Sequence, residues 1–530
     1  MTTTARPLPP ASGQRTGWLW LGPGLLSLVL GLYRAGRPQL WRDEFASVSA
    51  ASRSLGGLVS LLGHVDASTG LYYLLLHVWI SVFGSSPTAL RLPSALAMAG
   101  AAILVTRIGA RLYGTASGVA GGLVFALIPA ISRYGQETRA YALAVFAVAL
   151  ATLLLLRALE RPGRGRWVAY AAAIVLVAAA HIVALSCLAG HVVAVALHWR
   201  RDRRRGPVLG FTAALGTALV LAAPLIVLAH GQVSDQLSWL APPDLADPAH
   251  VALALWIDLF ASRTGAVLGA LLVALGVLVP LLQRRRRSAT LFLVAGGALP
   301  PLAIAVLSQV GTSYFLARYL LFTDVAWSVL AGAGLVGAVA ALAERVRVPS
   351  ADRTRALPTA AVAVAAVAAT ALGLLAVWPD QTGIRAYGSH EWTNYPRGTD
   401  PGYIAYQGSA DVISRHTRPG DGIVYLTYPS DMVNLGVAYY LDRIGSTLDL
   451  DPVFQVRSPQ QNDSYLPTLC RDTAVCLAAA PDRIWLVEQR PRWSGSPIQD
   501  TEHKLLDRAY TVRTAYDLSQ LVVELLVRKG

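Results

Sequence analysis

The sequence predicts a polytopic α-helical membrane protein of about eleven transmembrane helices, with a small extracytoplasmic α/β domain at its C-terminal end. Three observations carry this prediction. Of 530 residues, 54% are hydrophobic and only 14% are charged, a composition too apolar for an ordinary soluble protein. Long apolar segments recur between residues 18 and 378, separated by short arginine runs such as 200–205 and 284–287. From Asp380 onward the composition becomes that of a soluble domain. The net charge of +14 would suit nucleic acid if it were gathered on one module. Here it is spread over the loops in the positive-inside pattern, so no nucleic-acid partner is expected.

Residues 1–17 read as a polar, Pro-rich cytoplasmic tail, and 18–33 as a retained first span. The chain then emerges into an outer loop, 34–91. Its apolar stretch 71–83 is too short to cross and rich in Tyr and Trp, which fits a helix lying in the interface. Further spans are expected at 92–108, 117–131, 140–156, 168–180, 182–197 and 208–229. A second outer loop, 230–263, precedes a span descending to Arg284, and the last three are expected at 291–310, 318–341 and 357–378. The span-bearing module is thus 18–378, and the extracytoplasmic domain is 379–530. In the latter, 423–428, 484–487, 511–516 and 521–527 read as strands and 432–441 as a helix. The expected location is a cell membrane, crossed several times.

Ionisable residues beside a membrane are costly unless they are paired or face water. Under this topology Arg42, Asp43, Glu44, His64, Asp66, Arg133, Gln136, Glu137, Arg139, Arg318 and Tyr319 gather at the outer ends of spans. Asp43 and Glu44 could cap a helix or divide acid–base work between them. Arg139 and Arg318 could snorkel or clamp a phosphate. Charges at midplane depth in broken helices would have indicated a transporter instead. No Cys/His spacing matches a zinc site; His64, His181 and His230 read as interfacial or packed. No cofactor is expected, with a divalent metal as the alternative. Cys187 reads as a small packed side chain, while Cys470 and Cys476 are candidates for a disulfide if the C-terminal domain is extracytoplasmic.

The chain resembles integral-membrane glycosyltransferases of the GT-C superfamily, in the branch of the protein O-mannosyltransferases and aminoarabinose transferases. The resemblance rests on the Asp43-Glu44 pair after the first helix, Asp66 followed by Leu71-Tyr72-Tyr73 and Trp79, Arg91-Leu92-Pro93-Ser94, the stretch Tyr134-Gly135-Gln136-Glu137-Thr138-Arg139-Ala140-Tyr141, and Arg318-Tyr319. It spans roughly the first 340 residues. It implies an inverting transfer on the outer membrane face, with Asp43 as the base and Glu44 beside it. The donor would be a sugar, mannose as the first guess, linked to polyprenyl phosphate. Arg139 and Arg318 would stabilise the departing phosphate, with Tyr319 beside it. Arg42, His64, Asp66, Tyr134, Gln136 and Glu137 complete the expected substrate-binding set. The acceptor would be a glycan, lipid or protein hydroxyl. Residues 66–70 lack the prolines common after the first loop in this superfamily, and Arg139-Ala140 stands where the aminoarabinose branch has Asp-Pro. The alternatives are a flippase or transporter of lipid-linked glycans and a noncatalytic assembly subunit on the same scaffold.

Overall fold

The computed structural model describes residues 18–346, 359–386, 403–445, 450–490 and 497–530. The expected tail 1–17 and most of the basic stretch 345–355 lie outside them. The chain is a multi-pass membrane protein. Seven helices are long and apolar enough to cross a bilayer among the described residues, or eight if one bent pair counts as a single span.

The first helix, α1 (Leu21–Leu32), leads into the loop helices α2 (Arg42–Ala51), α3 (Leu55–His64) and α4 (Gly70–Phe83). The bundle continues with α5 (Pro87–Tyr113), α6 (Thr115–Leu127), α7 (Pro129–Gly135), α8 (Tyr141–Glu160), α9 (Arg164–Ala180), α10 (Leu188–Asp202) and α11 (Arg205–Leu237). After α12 (Pro248–Phe260) come α13 (Arg263–Leu282), α14 (Arg284–Leu307), the one-turn α15 (Ala317–Leu320), α16 (Asp324–Val346) and α17 (Thr359–Gly383).

Local chemistry explains the main boundaries. Ser86 caps α5, its Oγ accepting from the Ala89 amide at 3.2 Å with Pro87 in the first turn. Gly114, at φ 99°, allows the tight reversal from α5 into α6. Pro129 has no N–H to continue the ladder, and the expected span 117–131 is therefore broken, α7 leaving α6 at 64°. The expected hairpin around His181 is joined by a 3₁₀ turn, Ile182–Cys187. The seventh span is longer than expected, since α11 runs through Pro224 to Leu237, well into the stretch read as a loop. In the bundle interior α6 meets α16 at backbone distance: a Cβ on Gly332 would lie 2.2 Å from the Gly121 nitrogen.

The bundle has two chemically distinct ends. At one, Arg111 of α5 pairs with Glu160 of α8 at 2.6 Å, and Arg157, Arg161 and Arg166 cluster around them. At the other lie the starts of α5 and α8, the loop helices and the C-terminal domain.

That domain contains α18 (Tyr406–His416), β1 (Gly422–Leu426), α19 (Val433–Arg443), β2 (Asp451–Pro452), β3 (Gln455–Arg457), β4 (Thr468–Leu469), α20 (Thr473–Ala478), β5 (Arg483–Gln489), α21 (Pro497–Ala509), β6 (Tyr510–Asp517) and β7 (Leu521–Arg528). Its five-stranded sheet has the order β2-β1-β5-β7-β6, with β1 parallel to β2 and β5 and the remaining pairs antiparallel. Side chains alternate across the sheet as strand geometry requires. Ile423, Trp485, Val487 and Val523 face Val433 and Val437 of α19, while Val424, Leu426, Ile484 and Leu486 face Leu506 of α21. The short strands β2 to β4 carried no readable period in the sequence.

The domain is bound firmly to the first loop. The Phe45 ring of α2 meets Tyr406 edge-on at 4.8 Å. Gln39 donates to the Ile404 carbonyl at 2.5 Å, the Leu40 amide donates to the Tyr440 hydroxyl at 2.8 Å, and Tyr439 donates to the Ser85 carbonyl at 2.7 Å. Cys470 and Cys476 form a disulfide, with Cα atoms 6.7 Å apart.

Candidate functional site

A cavity of about 730 Å³ opens where the loop helices, the start of α8, the last turns of α11, α15 and the C-terminal domain converge. Of the residues expected at the site, Arg42, Asp43, Asp66, Arg139, Arg318 and Tyr319 line it.

Asp43 is placed by a short chain of causes. Trp41 is extended, at φ −119° and ψ 173°, and α2 begins immediately after it. The carboxylate therefore sits in a first helical turn, where the macrodipole favours negative charge. Its Oδ1 lies 3.8 Å from Arg42 Nε and its Oδ2 3.7 Å from Arg318 Nη2. Both separations exceed those of direct charge-assisted hydrogen bonds, which run to about 2.9 Å. Burial pushes the Asp43 carboxyl up, but Arg318, Arg139, Arg42 and Arg133 outweigh it and hold the group below its ordinary value. The result is an ionised carboxylate facing a cavity.

Arg318 also packs against aromatic rings, with its guanidinium carbon 5.7 Å from the Trp41 centroid and 5.8 Å from that of Tyr141. Arg139 donates to the Tyr73 hydroxyl at 2.9 Å and lies 3.9 Å from Asp66 Oδ2. Asp66 is held at a left-handed φ of 58°, and accepts from Tyr73 at 2.6 Å and from Tyr465 of the C-terminal domain at 3.0 Å. Arg42 lies 3.5 Å from Asp431 of that same domain.

The remaining expected residues stand elsewhere. Glu44, expected in the catalytic pair, is fully buried: Oε1 accepts from Arg91 Nε at 2.9 Å, and Oε2 from Arg91 Nη2 at 2.6 Å. The Thr138 amide and hydroxyl each add a bond to Oε1 at 3.0 Å. One helical residue turns the chain about 100°, which is why Asp43 faces the cavity and Glu44 faces the core. Glu137 is likewise fully buried and paired with Arg133 at 2.5 Å. Gln136 donates to the Leu30 and Tyr33 carbonyls at 3.3 and 2.9 Å, fixing the end of α1. Tyr134 lies behind the wall, edge-on to Tyr141 at 5.6 Å. His64 is exposed at the end of α3, its Nδ1 2.9 Å from the Ser60 carbonyl of its own helix. These five residues support the site or lie outside it, and none lines the cavity.

The structure adds residues that sequence reasoning left out. Tyr141 and His181 line the cavity, with the His181 ring tilted against Tyr319 at 4.6 Å between centroids. A histidine interrupting an otherwise apolar hairpin was the available signal. Ser430, Met432, Ser464 and Tyr465 reach the cavity from the C-terminal domain. No motif marked them, since their partners lie hundreds of positions away. Among the described residues, no three His, Cys, Asp or Glu side chains converge as a metal site.

Comparison with known proteins supports a reading of the scaffold. Residues 70–230 match the family model described as dolichyl-phosphate-mannose-protein mannosyltransferase. A search of curated proteins found no match. The apo crystal structure of ArnT from Cupriavidus metallidurans aligns over 96% of this chain and 98% of its own, at 16% identity and a TM-score of 0.57. The same protein bound to undecaprenyl phosphate aligns over 96% and 98% at 15% identity and 0.56. The Archaeoglobus fulgidus oligosaccharyltransferase aligns over 97% of this chain and 74% of its own, at 12% identity and 0.45. The chain has the overall fold of ArnT.

Proposed function

We propose that this GT-C-fold protein is an inverting glycosyltransferase that moves a sugar from a polyprenyl-phosphate donor to an acceptor hydroxyl at the outer face of a cell membrane. The observation that carries this reading is Asp43: an ionised carboxylate facing a cavity, with Arg318 3.7 Å away and Arg139 on the same wall. The crystallisation of ArnT with undecaprenyl phosphate supports the donor class. The cluster of arginines at the opposite end of the bundle supports the orientation, since such clusters face the cytoplasm. The N-terminus would then be cytoplasmic and the C-terminal domain outside.

In this mechanism Asp43 takes the proton as the acceptor oxygen attacks the anomeric carbon. The bond from that carbon to the phosphate oxygen breaks, and its electron pair leaves on the phosphate. Arg139 and Arg318 bring fixed guanidinium charge to the departing oxygens, where charge develops in the transition state. Two such charges can do the work a divalent cation would do, so we expect transfer to persist in a chelator. Mannose is the first sugar to test, because the family model matching 70–230 bears that name.

The test is transfer from a radiolabelled polyprenyl-phosphate sugar by the purified protein and by Asp43→Asn. Lost transfer with retained donor binding supports the assignment. Undiminished transfer by the variant removes Asp43 from the mechanism.

A further inference from the structure

A second cavity lies inside the C-terminal domain. It is smaller, about 170 Å³, and opens at the carboxyl end of β1. From β1 the chain passes through α19 to β2 on one flank, and from β5 through α21 to strands on the other. The helices cover opposite faces of the sheet. In open α/β sheets such a reversal leaves a crevice outside the strand ends, where ligands bind. Here the crevice is lined by Asn434 from the first turn of α19 and by Gln499 and Glu502 from the first two turns of α21.

Glu502 points to a ligand independently of that topology. It is 2% exposed, it lines the crevice, and its Oε1 has no hydrogen-bond partner among the described residues. A buried carboxyl left in this way costs free energy, on the order of 1–3 kcal/mol, unless something else satisfies it. Burial also pushes Glu502 up to about 7, so near neutral pH the protonated form is present and can both donate and accept.

The lining fixes the chemistry. The side-chain amides of Asn434 and Gln455 bring both donor and acceptor groups to the crevice, while Gln499 Nε2 donates to the Thr427 carbonyl at 2.9 Å and ties α21 to the end of β1. Tyr425 and Phe454 add aromatic surface, and among the described residues no Lys or Arg lines the crevice. Such a set suits a neutral ligand whose every hydroxyl donates and accepts, and it does not suit a phosphate.

The crevice and the main cavity are neighbours: Pro429 and Leu466 line both. The segment 427–434 joins them, with Ser430 and Met432 in the main cavity and Asn434 in the crevice, and its Asp431 contacts Arg42 at 3.5 Å.

We propose that the crevice is a sugar-binding subsite, which holds one neutral, polyhydroxylated unit of the acceptor while the reacting hydroxyl lies in the main cavity. Its place in the acceptor's path rests on the glycosyl-transfer reading; its capacity to bind a sugar does not.

The test uses the full-length protein in detergent and a panel of neutral monosaccharides with myo-inositol, read by saturation-transfer NMR. The wild type is expected to give saturation transfer to at least one member. Glu502→Leu should weaken that binding roughly tenfold, as expected for loss of one or two hydrogen bonds. Glu502→Gln, which keeps a donor and an acceptor, should restore most of it. If Glu502→Leu does not fold, Asn434→Ala on another element takes its place under the same criterion. Absence of saturation transfer in the wild type, or equal binding by the wild type and the substituted protein, overturns the proposal. Donor turnover by the wild type is measured separately. Its failure would sink the catalytic reading while leaving the sugar-binding result standing.

Discussion

Asp43 and Glu44 are adjacent in sequence, yet they inhabit opposite kinds of environment. Around Glu44 every distance is short: Arg91 grips both oxygens at 2.9 and 2.6 Å, and Thr138 donates twice at 3.0 Å. Arg91 also holds the carbonyls of Ala35, Pro38 and Gln39, so a single guanidinium fixes the turn that delivers α2. Around Asp43 the charges stand 3.7 and 3.8 Å off, and they border open volume. A closed network specifies shape, whereas charges held near one another without closing leave room for a ligand between them.

That contrast can be broken in order of expected effect. Asp43→Asn should lower transfer by about 10²–10⁴-fold with little change in melting temperature, as removal of a general base does. A variant that instead melts early with normal turnover would erase the distinction. Glu44→Gln should do the reverse, destabilising by about 3–5 kcal/mol because it leaves the buried Arg91 charge uncompensated. Its melting temperature should fall, while whatever fraction stays folded keeps its donor affinity. Next comes Arg318→Lys, which keeps the charge but loses the planar fork. A loss of about 10²-fold in turnover, exceeding any change in donor affinity, would place Arg318 at the transition state. The smallest effect is expected from Tyr465→Phe, which removes one bond to Asp66 worth about 1.5–3 kcal/mol at most. It should appear as a weaker acceptor KM, and unchanged kinetics would show that the domain contact is passive.

A pH profile sharpens the same comparison. Asp43 is held below its ordinary value, and a base must be ionised to act. The acid limb of kcat/KM should therefore fall below the usual carboxylate pKa of about 3.9, with no loss between pH 5 and 7 from this group. An acid limb centred above pH 5 would mean that another group is titrating.

Much of the scaffold was legible because membrane burial writes itself into composition: long apolar segments, arginines between them, and a polar domain after residue 380. Which acids and amides gather at one end of the bundle was legible too. Which way each one points was not. Glu44 differs from Asp43 by a fraction of a helical turn, and Gln136, Glu137 and Arg139 lie in the irregular link between α7 and α8, where only the packed structure records which side chain turns inward. His64 was expected with the other ionisable residues at the outer ends of spans, yet its ring turns back onto α3. Tyr465 was invisible for the opposite reason, since it meets Asp66 across 399 positions.

The length of α11 sets the altitude of the chemistry. At about 1.5 Å per residue, its 33 residues measure about 50 Å, against a hydrocarbon core of about 30 Å. For a helix that crosses along the bilayer normal from Arg205, about 20 residues span the core, and Ile226, Ala229, His230 and Val233, which wall the cavity, lie at or beyond its far edge. Under the proposed function the helix would act as a ruler, putting the cavity level with the lipid headgroups. A lipid-borne donor could present its phosphate there with its chain still in the bilayer, and no charge would have to be drawn down into oil.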